Sequence, residues 1–276
     1  MQSDPVAGPT LDDIQRAEAT EILRQMKARP QCNRVMGCPG LVTLSNYGRA
    51  AVPLAVEAVE AEPRADGYWL LQLVRLLGQL DDDRALPLLH RLSVTPGRWE
   101  VRIRATQALA HLARPASLAV LEDTLSRASE GGNIALEAAA RFALSRVAPS
   151  RAAAERAALV DLVPRDRQGL AATPPIILDI LIEIVREARL PRALHGVRLA
   201  SRSDNRFVRK QALKTLAALQ DTGGIPYALE RVEDPIPSIR RQALTTLQTI
   251  TGMRTMTRPR QWRQWCERNG LATVPE

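Results

Sequence analysis

Three segments of the chain share one pattern of apolar and polar positions. They read EVRIRATQALAHL from Glu100, FVRKQALKTLAAL from Phe207 and SIRRQALTTLQTI from Ser238. In each, an aliphatic residue stands next to an arginine, and alanine and leucine follow the aliphatic residue at four-residue steps. Apolar residues at this spacing line one face of an α-helix, whereas a half-buried strand would alternate. The pattern therefore predicts three amphipathic helices of one type.

Looser copies of the pattern extend it into a repeat array. The last apolar anchors of the copies are Leu77, Leu109, Leu144, Val185, Leu216 and Leu247. Their intervals of 32, 35, 41, 31 and 31 residues fit two short helices and two turns per unit. A second apolar segment precedes each copy, and proline or glycine separates the segments. The sequence thus predicts about six helical hairpins.

An acidic residue, a short turn and an aliphatic–arginine pair form the signature of the second helix. It stands as Asp204 before Val208-Arg209, and as Asp234 before Ile239-Arg240. This signature resembles that of the HEAT-repeat superfamily, in particular the short bacterial repeats of phycobilin lyases. The resemblance covers about residues 49–255. It implies an all-α fold, a right-handed α-solenoid of HEAT-like hairpins with capping helices at both ends.

The same resemblance implies a structural role for the signature side chains. In the family the arginine pairs with the aspartate of its own or a neighbouring turn. The residues that match are Arg102, Asp204, Arg209, Asp234 and Arg240. We expect them to hold turns together rather than to contact a ligand.

The organisation predicted along the chain has four parts. Residues 1–11 read as a flexible leader, and residues 12–48 as an N-terminal capping helix with a junction. Residues 49–255 hold the repeats, and residues 256–276 a C-terminal capping helix and tail. Capping is required because a repeat array must cover its apolar ends.

The C-terminal segment carries two tryptophans, Trp262 and Trp265, on one helix face. We expect both indoles to cap the last repeat. The alternative is a tryptophan–arginine hot spot for a partner.

Positive charge is concentrated in the last third of the chain. Residues 186–276 hold 17 basic and 8 acidic side chains, and the whole chain has a net charge of +8. Thirty-five of the 38 basic residues are arginine, which coding bias in a GC-rich genome or selection for bidentate anion binding would explain. The 41-residue unit contains a long polar insertion, PRDRQGLAATPP at positions 164–175. Insertions in repeat arrays often mark the binding side.

These features predict a protein-interaction scaffold that binds an acidic partner segment on a concave, arginine-rich surface. The side chains expected to bind the partner are Arg165, Arg167, Arg198, Arg202, Arg206, Lys210, Lys214, Arg241, Arg258 and Arg263. Two alternatives stay open: a nucleic-acid-binding or DNA-glycosylase-like protein, and an accessory protein for a small anionic ligand or chromophore. With nine aromatic residues in the chain, platforms for stacking bases are scarce.

No catalytic, cofactor-binding or metal-binding residue is predicted. The three histidines, His90, His111 and His195, fall in different repeats, and no histidine precedes a glutamate. Iron-dependent hydroxylases built on HEAT repeats need such His-Glu pairs. The run Asp81-Asp82-Asp83 stands between two helices, where N-capping is its expected role.

Cys32 and Cys38 flank a short loop and could close as a disulfide in an oxidising compartment. The alternative is two ordinary thiols near a helix junction. The polar opening segment lacks the basic and apolar regions of a signal peptide, and we expect it to be either native or the remainder after an export signal was replaced. No apolar run is long enough to span a bilayer. From the leader and this cysteine pair we expect an extracytoplasmic location, with a cytoplasmic one as the alternative.

Overall fold

All regular structure in the described part of the chain is helical, apart from one isolated bridge between Asn33 and Gly37. The computed structural model describes residues 8–28, 32–33, 37–65, 67–95 and 97–271. None of the helices in these ranges is long and apolar enough to cross a membrane.

The chain divides into two compact units, residues 1–155 and 156–276, and each is described by itself. The helices of the first are α1 Asp13–Ala28, α2 Pro39–Asn46, α3 Val52–Ala61, α4 Tyr68–Gln79, α5 Leu86–Val94, α6 Trp99–Leu112, α7 Leu118–Glu130 and α8 Ile134–Val147. Helix α9, Ala152–Asp161, contains the division. The helices of the second are α10 Arg167–Ala172, α11 Pro175–Glu187, α12 Leu194–Ala200, α13 Arg206–Ala218, α14 Ile225–Arg231, α15 Pro237–Thr251 and α16 Pro259–Arg268.

Antiparallel pairs of neighbouring helices build both units. In the first unit, α3 packs on α4, α5 on α6 and α7 on α8, and the second helices stack as α4, α6 and α8. In the second unit, α12 packs on α13 and α14 on α15, and α11, α13 and α15 stack in the same way. The predicted all-α fold of stacked helical hairpins is confirmed.

Local sequence explains where these helices begin and end. Proline stands in the first turn of α3, α5 and α14, where its missing N–H has no partner to lose. Several second helices end at a residue with left-handed backbone: Ala113 after α6, Gln220 after α13 and Gly252 after α15. This conformation closes a helix C-terminus and turns the chain toward the helix that follows.

Gly78 of α4 faces Ala108 of α6 at close range. A Cβ at position 78 would lie 2.5 Å from the Cα of Ala108, so only glycine allows the two backbones to approach this closely. The cores of both helices are aliphatic, with Leu73 and Leu109 fully buried. Small and aliphatic residues thus account for the tight packing of second helices.

The N-terminal region differs in detail from the predicted capping helix and junction. It holds two helices, α1 and α2, where one was predicted. These two helices pack on each other, and α2 also packs on α4. Residues 1–7 of the predicted leader lie outside the described residues. Of the remainder, the Pro9 carbonyl accepts hydrogen bonds from Nη1 and Nη2 of Arg84, both at 3.2 Å. This part of the leader is therefore attached to the repeats.

Cys32 and Cys38 lie in the link between α1 and α2. Their Cα atoms are 4.3 Å apart, and the two residues are paired as a disulfide in the structure. For protein produced under oxidising conditions we predict an intact mass two hydrogens below the value after reduction. Protein carrying Cys38→Ser should show no such difference, and a wild-type mass unchanged by reductant would contradict the pairing.

Trp262 of α16 lies in the core of the last helical pair. Its indole is fully buried, packs in a cluster with Ile239 and Leu247, and donates from Nε1 to the Met256 carbonyl at 3.0 Å. Trp265 stacks edge-on against it with ring centres 5.9 Å apart and stays partly exposed. The pair thus covers the apolar end of α14 and α15.

Candidate binding cleft

The polar insertion at positions 164–175 folds into a short helix, α10, between α9 and α11. The Asp166 side chain caps it by accepting from the Gly169 N–H at 2.7 Å, and the Thr173 hydroxyl donates to the Gly169 carbonyl at 2.8 Å. Gly196 of α12 allows the insertion to approach closely, because a Cβ there would lie 2.2 Å from the Pro164 carbonyl oxygen. These contacts place α10 beside α12.

An open cleft of about 910 Å³ lies beside α10, and we call it the insertion cleft. It is formed where first helices end and second helices begin, at the connection into α11, the α12–α13 turn and the end of α14. Its apolar lining consists of Leu170, Ala171, Pro175, Leu178, Leu199 and Ala200. Its polar lining consists of Arg167, Thr173, Arg202, Ser203, Asp204, Asn205 and Arg231.

The three guanidinium groups of the cleft differ in their partners. Arg167 is exposed, and within the described chain it has no ion-pair partner. Arg202 donates to both carboxylate oxygens of Glu230, with Nε to Oε2 at 2.9 Å, and lies over the Tyr227 ring at 5.1 Å from its centre. Arg231 has looser pairs, 3.4 Å from Glu230 and 3.8 Å from Asp234. Arg167 is therefore the one of these three cations that makes no described ion pair.

Electrostatics around Glu230 reflect this pairing. Burial by itself would raise the pKa of the Glu230 carboxyl, but the hydrogen bond and charge of Arg202, with the charge of Arg231, outweigh it and leave the pKa below its usual value. The hydrogen bond that Arg202 donates to Glu230 in turn raises the pKa of Arg202. Both groups are charged at neutral pH.

Several arginines predicted to bind a partner are neutralised within the chain. Arg165 pairs with Asp161, and Arg263 pairs with Glu233. Arg198 donates from Nε to the buried Asp221 at 2.7 Å. These three side chains lie outside the lining of the insertion cleft.

The remaining predicted cations lie on α13, on α15 and at the start of α16. Arg206 lies over the Phe207 ring at 4.8 Å, and Lys214 has a contact within the chain. Lys210 of α13 and Arg241 of α15 occupy equivalent places in successive signatures. Arg258 donates its backbone N–H to Gln261 Oε1 at 3.0 Å. Among the predicted partner-binding residues, the structure brings only Arg167 and Arg202 together in the cleft.

The signature side chains make structural contacts around the α12–α13 and α14–α15 turns. Arg209 Nε lies 2.9 Å from Oδ2 of Asp234, which stands in the α14–α15 turn. Arg209 Nη1 also donates to the carbonyls of Ser203 and Asp204. Arg240 donates to the Asp234 carbonyl at 2.8 Å. In the first unit, Arg102 donates to the Ser93 carbonyl at 3.3 Å. Asp204 itself is exposed and is one of the residues that line the insertion cleft.

Other polar groups have partners that account for their positions. His90 bonds to the Ser117 hydroxyl, His111 packs edge-on against Phe142, and His195 is exposed. In the acidic run, Asp82 accepts from the Arg84 N–H as the predicted N-cap, and Arg114 pairs with both Asp81 and Asp83. Within the described residues, no three histidine, cysteine, aspartate or glutamate side chains are grouped to hold a metal ion.

Sequence reasoning missed α10, Tyr227, Glu230 and Arg231. A signal for α10 was present, because Asp166 three residues before Gly169 is a typical N-cap arrangement. A signal for the Arg202–Glu230 pair was their separation of 28 residues, close to one repeat length.

Comparison with known proteins agrees with the repeat assignment. A family model described as HEAT repeats matches residues 52–140. None of the curated proteins matches the sequence. A structure of human deoxyhypusine hydroxylase in complex with glycerol is similar at 17% identity and a TM-score of 0.40, covering 87% of this chain and 98% of that one.

The complex of CpcE and CpcF of phycocyanin lyase from a Nostoc species is also similar. The identity is 17% and the TM-score 0.47, over 98% of this chain and 99% of that one. The family-model match over residues 52–140 confirms the predicted resemblance to HEAT-repeat proteins.

Proposed function

We propose that the chain is a protein-interaction scaffold whose insertion cleft binds an acidic segment of a partner protein. The observation that carries this proposal is the position of Arg167 in the lining of a cleft that also contains apolar side chains, where it makes no described ion pair. A guanidinium in that setting favours a carboxylate, because it can donate two parallel hydrogen bonds to it. The segment would place apolar side chains on Leu170, Leu178 and Leu199.

The charge pattern supports a protein segment over a nucleic acid. Binding of a phosphate backbone draws on many unpaired cations at once. Here Arg165, Arg198, Arg202 and Arg263 already pair with carboxylates of the chain. Within the cleft, one arginine without a described ion pair, close to the apolar side chains of the lining, fits a segment in which acidic and apolar side chains alternate.

Arg167→Ala should weaken binding of such a segment. The probe is a fluorescein-labelled twelve-residue peptide of alternating leucine and glutamate, followed by fluorescence anisotropy. Loss of a charge-assisted hydrogen bond is worth about 1.5–3 kcal/mol, so we expect the Kd to rise at least about tenfold. Arg192→Ala is the matched control, because Arg192 is an exposed arginine of the same unit outside the cleft lining.

Two further peptides separate the contributions of charge and apolar contact. Replacing the leucines of the peptide by serine should weaken binding, because the apolar side chains of the cleft lining then gain no apolar contact. Replacing glutamate by lysine should abolish it. Equal affinity for the glutamate and lysine peptides, or equal effects of Arg167→Ala and Arg192→Ala, would overturn the proposal.

A further inference from the structure

Glu230 holds its carboxylate on the cleft side chain Arg202. Arg202 Nε and Nη2 donate to Oε2 and Oε1 of Glu230, and Arg231 Nη2 lies 3.4 Å from Oε2. Arg202 and Arg231 both line the insertion cleft, whereas Glu230 does not. The glutamate side chain therefore engages Arg202 by the fork-like geometry that arginine offers to a carboxylate, and Arg231 by a single looser contact.

We propose that Glu230 is an intramolecular competitor that sets the affinity of the insertion cleft for acidic segments. This inference rests on the proposed function. A carboxylate that enters the cleft meets Arg167 without having to break a described ion pair, but it meets Arg202 and Arg231 only by displacing Glu230. The resident glutamate thus limits binding to segments that satisfy Arg167 first.

Arg202 has a contact at the cleft that does not involve Glu230. Its guanidinium lies over the ring of Tyr227, and Tyr227 is itself buried in the core of the last helical pairs. This contact attracts a cation independently of Glu230. We therefore expect Arg202 to keep its place at the cleft when the charge of Glu230 is removed.

Arg231 has little other compensation. Its remaining described carboxylate neighbour is Asp234, at 3.8 Å, and Asp234 is already engaged by Arg209 at 2.9 Å. Removing the Glu230 charge would leave three cations, Arg167, Arg202 and Arg231, in a cleft lining whose one carboxylate is Asp204. Such a cleft is better suited to an acidic segment than the wild-type cleft is.

The test compares Glu230→Gln with Glu233→Gln in the full chain, using the leucine–glutamate peptide. Glu233 is the matched control because it lies three residues further on, is exposed, pairs with Arg263 and does not line the cleft. Both variants raise the net charge by one. A half-exposed ion pair is worth up to about 1 kcal/mol, so we expect Glu230→Gln to lower the Kd by about two- to fivefold, and Glu233→Gln to leave it unchanged.

Salt and a third variant separate the outcomes. The gain from Glu230→Gln should shrink at 1 M salt, where exposed charges are screened. If Arg167→Ala weakens binding but Glu230→Gln has no effect, weakens it, or matches Glu233→Gln, the competitor role is overturned while the cleft stands. If Arg167→Ala has no effect, the proposed function itself fails. A circular dichroism spectrum like that of the wild type shows that each variant is folded.

Discussion

Replacing Asp234 by alanine is expected to reduce the free energy of unfolding by about 3–5 kcal/mol, because it leaves a buried guanidinium without its counterion. The Asp234 and Arg209 side chains are 1% and 9% exposed, and their Oδ2 and Nε atoms lie 2.9 Å apart. Asp234 Oδ1 also accepts from the Ile236 N–H at 3.0 Å. Urea unfolding followed by circular dichroism at 222 nm measures the loss.

Two controls identify the cause of this loss. Glu233→Ala removes an exposed ion-pair partner at the adjacent position and should cost less than about 1 kcal/mol. Combining Asp234→Ala with Arg209→Met removes the stranded charge, so the double variant should be more stable than Asp234→Ala alone. If Asp234→Ala costs no more than Glu233→Ala, the buried pair does not hold these repeats together.

Replacing Trp262 by alanine is expected to cost about 3–5 kcal/mol as well. The indole is fully buried against the last helical pair, and its Nε1 loses a 3.0 Å hydrogen bond to the Met256 carbonyl. Trp265→Ala is the comparison, since that ring is partly exposed and should cost clearly less. Urea unfolding followed by circular dichroism at 222 nm measures the loss in free energy of unfolding for both variants.

Equal losses for the two variants would show that both indoles cap the array to the same extent. Loss of stability from Trp265→Ala alone would contradict the described cap. If one of the two indoles contacts a partner and does not cap the array, its replacement by alanine should leave the free energy of unfolding unchanged.

The repeats were predictable because their signals are local. Apolar residues at four-residue steps in segments such as FVRKQALKTLAAL define a buried helix face whatever the neighbours are. Proline in a first turn and a residue such as Gly252 after a helix mark the ends in the same way. The close approach at Gly78 was not predictable, since it depends on the register between α4 and α6.

The candidate site was predictable in place but not in composition. The 41-residue spacing identified the insertion, and Arg167 and Arg202 were among the residues named from it and from the basic charge. The net charge of residues 186–276 could not show which arginines are balanced. Arg198 and Asp221, or Arg263 and Glu233, meet only through packing between successive helical pairs of the second unit.

A charge exchange at Arg167 tests the central claim most directly. Arg167→Glu should lose affinity for the leucine–glutamate peptide and gain affinity for the leucine–lysine peptide, with anisotropy as the measurement. Arg192→Glu should change neither by more than about twofold, because it lies outside the cleft lining. If Arg167→Glu leaves the preference for the acidic peptide intact, or if Arg192→Glu reverses it equally, the insertion cleft is not the site that selects an acidic segment.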